Sequence, residues 1–174
     1  LPGGTRIATF ASLTDRWPEA ASFSIMDVSG TIDVILGQKG REIFSVSPDA
    51  TVFEAIELMA NKNVGALLVL RDGQLLGMIS ERDYTRKVML RGKRSRETQV
   101  REIMSSDLTI VTSREPVENC LRMMTDKRIR HLPVVDGDTL RGIISIGDLV
   151  KWVIASQSAA IAHLESYISG GYSG

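Results

Sequence analysis

The sequence writes one pattern twice. "GMISERDYT" begins at Gly77 and "GIISIGDLV" at Gly142, with Gly, Ile, Ser and Asp at the same four places. A shift of 65 residues extends the match without a gap. Val46, Val52, Met59, Lys62, Leu67, Val69, Leu75, Gly77, Ile79, Ser80 and Asp83 each meet an identical residue. Other pairs exchange one apolar residue for another, such as Val64 with Ile129 and Leu58 with Met123. Such a duplication is a severe constraint. Both halves must adopt one local structure, and each must bury its apolar face against something.

Periodicity assigns the elements. Residues 43–46 and 108–111 read as short apolar strands. Val52, Ala55, Ile56 and Met59 then fall at helical spacing, as do Val117, Cys120, Leu121 and Met124. Pro48 and Pro116 sit near the two helix starts, where a missing N–H costs little. "ALLVL" and "HLPVV" are short buried strands. "RDGQ" and "DGDT" turn them into hairpins with "LLGMIS" and "LRGIIS". A second helix follows in each half, "RDYTRKVML" or "GDLVKWVIA". Each unit is therefore β-α-β-β-α, an α/β arrangement, with a helical lead-in ("IDVIL" or "VREIM") before it. One unit holds too few apolar residues to stand alone. Two packed sheet to sheet share a core around a quasi-twofold axis.

The division expected is residues 1–30 as an extension outside the fold, in part foreign to the native chain. Residues 31–95 form repeat 1 with its lead-in and the polar linker "RGKRSRETQ". Residues 96–155 form repeat 2 with its lead-in. Residues 156–174 form a helical tail, in which Ile161, Leu164 and Ile168 keep helical spacing until Gly-Gly stops it. The tail is expected to pack on the module or on a second copy.

Composition removes several function classes. Lys plus Arg and Asp plus Glu number 21 each, which argues against a general nucleic-acid binder. "RGKRSR" is the one basic run, and it reads as a solvated linker rather than a nucleic-acid contact. No apolar run approaches the ~20 residues of a membrane span. The lone Cys120 permits no internal disulfide, and the expectation is a reducing compartment, a bacterial cytoplasm or an organellar matrix. His occurs twice, there is no Cys/His metal spacing, and no nucleophile elbow or phosphate loop is present. The expectation is a chain that is not an enzyme.

The duplicated β-α-β-β-α grammar, "RIRHLPVVD" from Arg128, and the two G-x-I-S-x-x-D segments together resemble a tandem pair of cystathionine-β-synthase (CBS) domains. The resemblance covers most of the chain and is closest to the stand-alone, two-repeat type. It implies a regulatory module that binds adenosine-containing ligands in clefts between the repeats and signals energy or redox state to a separate partner. AMP and NAD(H) are favoured, with ADP, ATP or S-adenosylmethionine as alternatives. It also implies a homodimer formed through helices, for which Met89, Leu90, Trp152, Val153 and Ile154 are candidate surface residues.

Carried over by motif, Ser80 with Asp83 and Ser145 with Asp148 become the ribose- and phosphate-side residues of two sites. Gly65-Ala66 and Arg130-His131 occupy the turn that borders the ligand in the family. Arg82 and Arg86 add positive charge in repeat 1, and the sites are expected to be unequal. A plainer reading stands beside this. S-x-x-D is also a helix capping box, in which Ser caps the helix and Asp reaches back to the cap's own N–H. The alternative function is an interaction module whose clefts are vestigial, and a weaker one is nucleic-acid binding through the basic linker.

Overall fold

The computed structural model describes residues 30–40 and 42–170. The expected extension over residues 1–30 thus lies, apart from Gly30, outside the described residues, as does the end of the tail beyond Gly170.

In chain order the elements are α1 (Ile32–Lys39), β1 (Ser45–Val46), α2 (Val52–Lys62), β2 (Ala66–Arg71), β3 (Gln74–Ser80) and α3 (Glu81–Lys87). Then come α4 (Val117–Asp126), β4 (His131–Asp136), β5 (Thr139–Ser145) and α5 (Ile146–Gly170). Short 3-10 turns cover Met89–Arg91 and Val100–Glu102. In repeat 1, β1 pairs parallel with β2, and β2 antiparallel with β3. In repeat 2, β4 and β5 form the equivalent hairpin. The alternation of each middle strand explains the packing. Leu67 and Val69, and likewise Leu132 and Val134, belong to cores built with their own helices. Leu68 and Pro133 point to the opposite face and are buried too. At the start of that strand the two repeats meet: a Cβ built on Gly65 lies 3.7 Å from Cε1 of His131.

Repeat 2 lacks the first strand expected over residues 108–111. Only a parallel bridge, Val111 to Val134, remains of it. The reason is chemical. In repeat 1 the Leu68 N–H donates to the Phe44 carbonyl at 3.2 Å. Its counterpart is Pro133, which has no N–H to give. The second lead-in shrinks from a helix to a 3-10 turn, and α3 stops at Lys87 rather than running through Leu90. In repeat 2 the second helix and the tail are one continuous element, α5.

The lead-ins are exchanged. Ile32 and Ile35 of α1, which precede repeat 1 in sequence, are buried in the core of repeat 2. Val100 and Ile103, which precede repeat 2, are buried in the core of repeat 1. The backbone follows suit. The first N–H of α2 (Val52) donates to Thr98 and that of α4 (Val117) to Gly30. These bonds satisfy donors that a helix start otherwise leaves orphaned. The charged linker is accordingly no loose tether. Thr98 is buried, Arg96 lies 3.6 Å from the Phe53 ring centre, and Arg94 and Lys93 pair with Glu97 and Glu102.

The exchange also explains the glycine of the repeated motif. A Cβ on Gly77 would sit 2.8 Å from the carbonyl oxygen of Ser105, and one on Gly142 would sit 3.1 Å from Leu36. Each glycine is the point where an exchanged lead-in crosses an edge strand. Gly77→Ala should therefore lose about 1–3 kcal/mol, because a backbone atom must move. Gly37→Ala, in α1 with open space around it, should gain about 0.5–1 kcal/mol from helix propensity. Urea denaturation of the two variants checks both signs.

Candidate functional site

Ser80 and Ser145 each end a strand and cap the next helix. In repeat 1 the Asp83 N–H donates to Ser80 Oγ at 3.3 Å, while Ser80 N–H and Oγ–H donate to Asp83 Oδ2 at 3.1 and 2.6 Å. In repeat 2 the same three bonds join Ser145 and Asp148 at 3.2, 2.8 and 2.8 Å. The plain capping reading is thus physically present in both halves. The first helical N–H is also taken, Glu81 by the Gly65 carbonyl and Ile146 by the Arg130 carbonyl.

The expected residues gather where the repeats meet. Ala66 pairs with Ser80 across the β2–β3 ladder, and His131 pairs with Ser145 across β4–β5. Gly65 lies against both Glu81 and His131. Arg82 donates at 2.7 Å to the carbonyl oxygen of Arg128, linking the two repeats directly. Arg130 is exposed and adds its charge beside His131. Arg86 is exposed on α3, and no contact draws it toward the serine and aspartate.

Each aspartate holds a lysine, and neither pair was read from the sequence. Lys87 lies one turn along from Asp83 and reaches Oδ1 at 2.7 Å. Lys39 reaches Asp148 Oδ2 at 2.7 Å from the lead-in helix, and also donates to the Ile143 carbonyl at 3.2 Å. An i,i+4 pair is legible in sequence. A contact across 109 positions that depends on exchanged lead-ins is not. Ser105, 3.4 Å from Asp83, was missed for the same reason.

Electrostatics follow from this geometry. Burial pushes the Asp148 carboxyl up, but hydrogen bonds from Lys39 and Ser145 and the Lys39 charge outweigh it and hold it below the usual value. Burial lowers His131, with the Lys39 and Arg130 charges acting the same way and Asp148 opposing. Cys120 is buried and its thiol is pushed up to about 11, chiefly by burial and then by the Glu115 charge. It behaves as a small apolar side chain.

Two hollows open on the described surface. One, of about 390 Å³, is lined by Asp33, Leu36, Gly37, Ser113 and Arg141 among others. The other, of about 580 Å³, lies between the hairpin tips at Gly73 and Gly137. Neither is walled by the Ser–Asp pairs. The corners instead hold the paired hydroxyl and carboxylate, each carboxylate in contact with a lysine. Among the described residues no cluster of His, Cys, Asp and Glu fits a metal, and no helix is long and apolar enough to cross a membrane.

Comparison with known proteins adds to this geometry. Residues 40–90 and 100–155 each match the CBS domain family. The chain is 38% identical over 153 residues to the mitochondrial CBS domain-containing protein CBSX3 of Arabidopsis thaliana, covering 83% of this chain and 74% of that one. A putative signal-transduction protein with CBS domains from Burkholderia ambifaria is 46% identical, with a TM-score of 0.71 over 74% of this chain and 96% of that one. The CBS domain pair of protein MJ0100, in complex with 5′-methylthioadenosine and S-adenosylmethionine, shares the fold at 22% identity, with a TM-score of 0.65 over 73% of this chain and 98% of that one.

His131 gives a pH test. Its folded-state pKa is depressed, so the unfolded chain takes up the proton first as pH falls below 6.5. Stability should fall from there until the folded pKa is reached, by at most about 1.4 kcal/mol per pH unit. His131→Gln should remove that slope in denaturation curves taken between pH 7.5 and 5.

Proposed function

Because the chain belongs to the CBS domain family, we propose that it is a regulatory module binding adenosine-containing nucleotides at the two Ser–Asp corners. One observation carries this reading. Two quasi-equivalent carboxylates, each seated on a serine at a strand-to-helix corner, flank the line where the repeats meet. A carboxylate so placed can accept both hydroxyls of a ribose, as acidic residues do in dinucleotide folds. The ligands of the MJ0100 pair carry an adenosine moiety and support the class.

AMP and NAD(H) are the favoured ligands, with ADP and ATP also in range. Arg82, Arg86 and Arg130 supply positive charge suited to phosphate. Cationic S-adenosylmethionine gains less from such surroundings. Binding one arrangement of the repeats better than another would shift their balance, and a separate protein would read the change as an energy or redox signal. The Arabidopsis relative is mitochondrial and the Burkholderia one bacterial, which supports an organellar matrix or a bacterial cytoplasm. We assign the chain no catalytic step.

A thermal-shift panel with AMP, ADP, ATP, NAD+, NADH and S-adenosylmethionine tests this. At ~100 times its dissociation constant a ligand of the folded state adds about 2.7 kcal/mol. One nucleotide should raise the wild-type midpoint, and Asp83→Ala or Asp148→Ala should lose the response. If no ligand shifts the wild type and both variants lose only about 1 kcal/mol, the motif is a cap and nothing more.

A second reading, an interaction module, is favoured by Met89, Leu90, Val150 and Ile154, which are 60%, 77%, 45% and 60% exposed. Trp152 and Val153, expected on that surface, instead pack against the core of repeat 2. We propose that the exposed four contact a second copy of the chain. Combining Leu90→Glu with Ile154→Glu should convert a dimer to a monomer in sedimentation velocity and remove the dependence of the unfolding midpoint on protein concentration.

A further inference from the structure

The two lysines do one job from non-equivalent places. Position 87 corresponds to Trp152 in the other repeat, which carries no charge to form an ion pair. The lead-ins superimpose through Ile32 and Val100, Ile35 and Ile103, and Leu36 and Met104, each pair occupying the same place on the opposite repeat. Past Met104 the second lead-in is no longer helical, and it offers no lysine in the place of Lys39. Each carboxylate therefore has its lysine, but one comes from its own helix and the other from the exchanged lead-in.

What each lysine fastens also differs. Lys87 joins Asp83 within α3 and donates to the Ile103 carbonyl at 2.7 Å. The chain at Ile103 is held without it: Ile103 is buried, and Ser105 and Met78 exchange two backbone hydrogen bonds at 2.9 and 3.0 Å. The situation of α1 is unlike this. Its first turn is fixed by Ile32, by bonds from Ile32 and Asp33 to the Glu115 and Ser113 carbonyls, and by Gly30 accepting from Val117. Leu36 packs on the core of repeat 2; past it α1 is exposed, and Lys39 bonds its end to repeat 2 through Asp148 and the Ile143 carbonyl. From there the chain crosses to β1, in repeat 1.

We propose that Lys39 is a latch on this crossover, and that a ribose claiming Asp148 opens it. The proposal rests on the nucleotide reading given above. It makes the two corners unequal in a definite way. A nucleotide at Asp148 displaces a lysine that holds one repeat to the segment entering the other, and so loosens their connection. A nucleotide at Asp83 displaces a lysine whose release frees nothing, and that corner binds without transmitting.

The test is hydrogen exchange of the α1 peptide alongside calorimetric titration with AMP and NAD+. It uses the full chain as wild type, Lys39→Met, Lys39→Arg and Lys87→Met. Without nucleotide, Lys39→Met should exchange about tenfold faster in the last turn of α1, while Lys39→Arg and Lys87→Met match the wild type. Saturating nucleotide should bring the wild type to the Lys39→Met rate and leave Lys39→Met unchanged. That variant should also bind about fivefold tighter, within the usual range of coupling, because no ion pair has to break. If a nucleotide binds but α1 exchange in the wild type does not move, the latch is overturned and the nucleotide reading stands. The same holds if Lys39→Met exchanges like the wild type. If neither these probes nor the other ligands of the thermal-shift panel bind any variant, both readings fall.

Discussion

Everything in this structure depends on the exchange of lead-ins. The core of repeat 1 closes over Val100 and Ile103, and that of repeat 2 over Ile32 and Ile35. Neither core is complete with the residues of its own repeat. Each fully buried Ile or Val contributes about 1.5–3 kcal/mol of apolar burial, a large part of a typical domain's net stability. The two halves must accordingly fold together. The same strands of chain supply the carbonyls that finish α2 and α4, so hydrophobic closure and helix capping rest on one topological feature.

Every residue of the duplicated motif now has a physical account. The glycine lets a lead-in pass, the isoleucine fills a core at zero exposure, the serine caps a helix, and the aspartate closes the capping box. On the function proposed above, capping and ligand binding would draw on one and the same geometry. The carboxylate turns back to its own N-cap, and the lysine opposite it offsets its charge. A corner made in this way is stable, because its polar groups satisfy one another.

Much of the fold was legible in the sequence because its signals are local. Helical spacing, the Asp72-Gly73 hairpin turn with both residues at positive φ, and the S-x-x-D boxes all act within a few residues. What was not legible is what depends on the partner segment. Pro133 reads as an ordinary strand residue until the Leu68 bond it cannot copy is seen. Trp152 reads as a surface aromatic until Gly30 is found against its indole ring. Lys39 carries no sequence signal, since nothing near it marks Asp148 as its neighbour. The charged linker reads as solvated, and residues 91–94, 96 and 97 are exposed, but no sequence signal marks the Ser95 and Thr98 carbonyls that accept from the start of α2.

The exchange of lead-ins has a bearing on how such a chain arises. Two separate copies of one repeat, each with its own lead-in, could make all of these contacts across a twofold axis, each copy completing the other. That pair would come apart on dilution. Joining the copies end to end turns the second docking event into an intramolecular one, at an effective concentration in the millimolar range. The fused chain also gains what an identical pair cannot have. Its two halves are free to diverge, so that a proline, a tryptophan or a lysine can appear on one side of the axis and not the other.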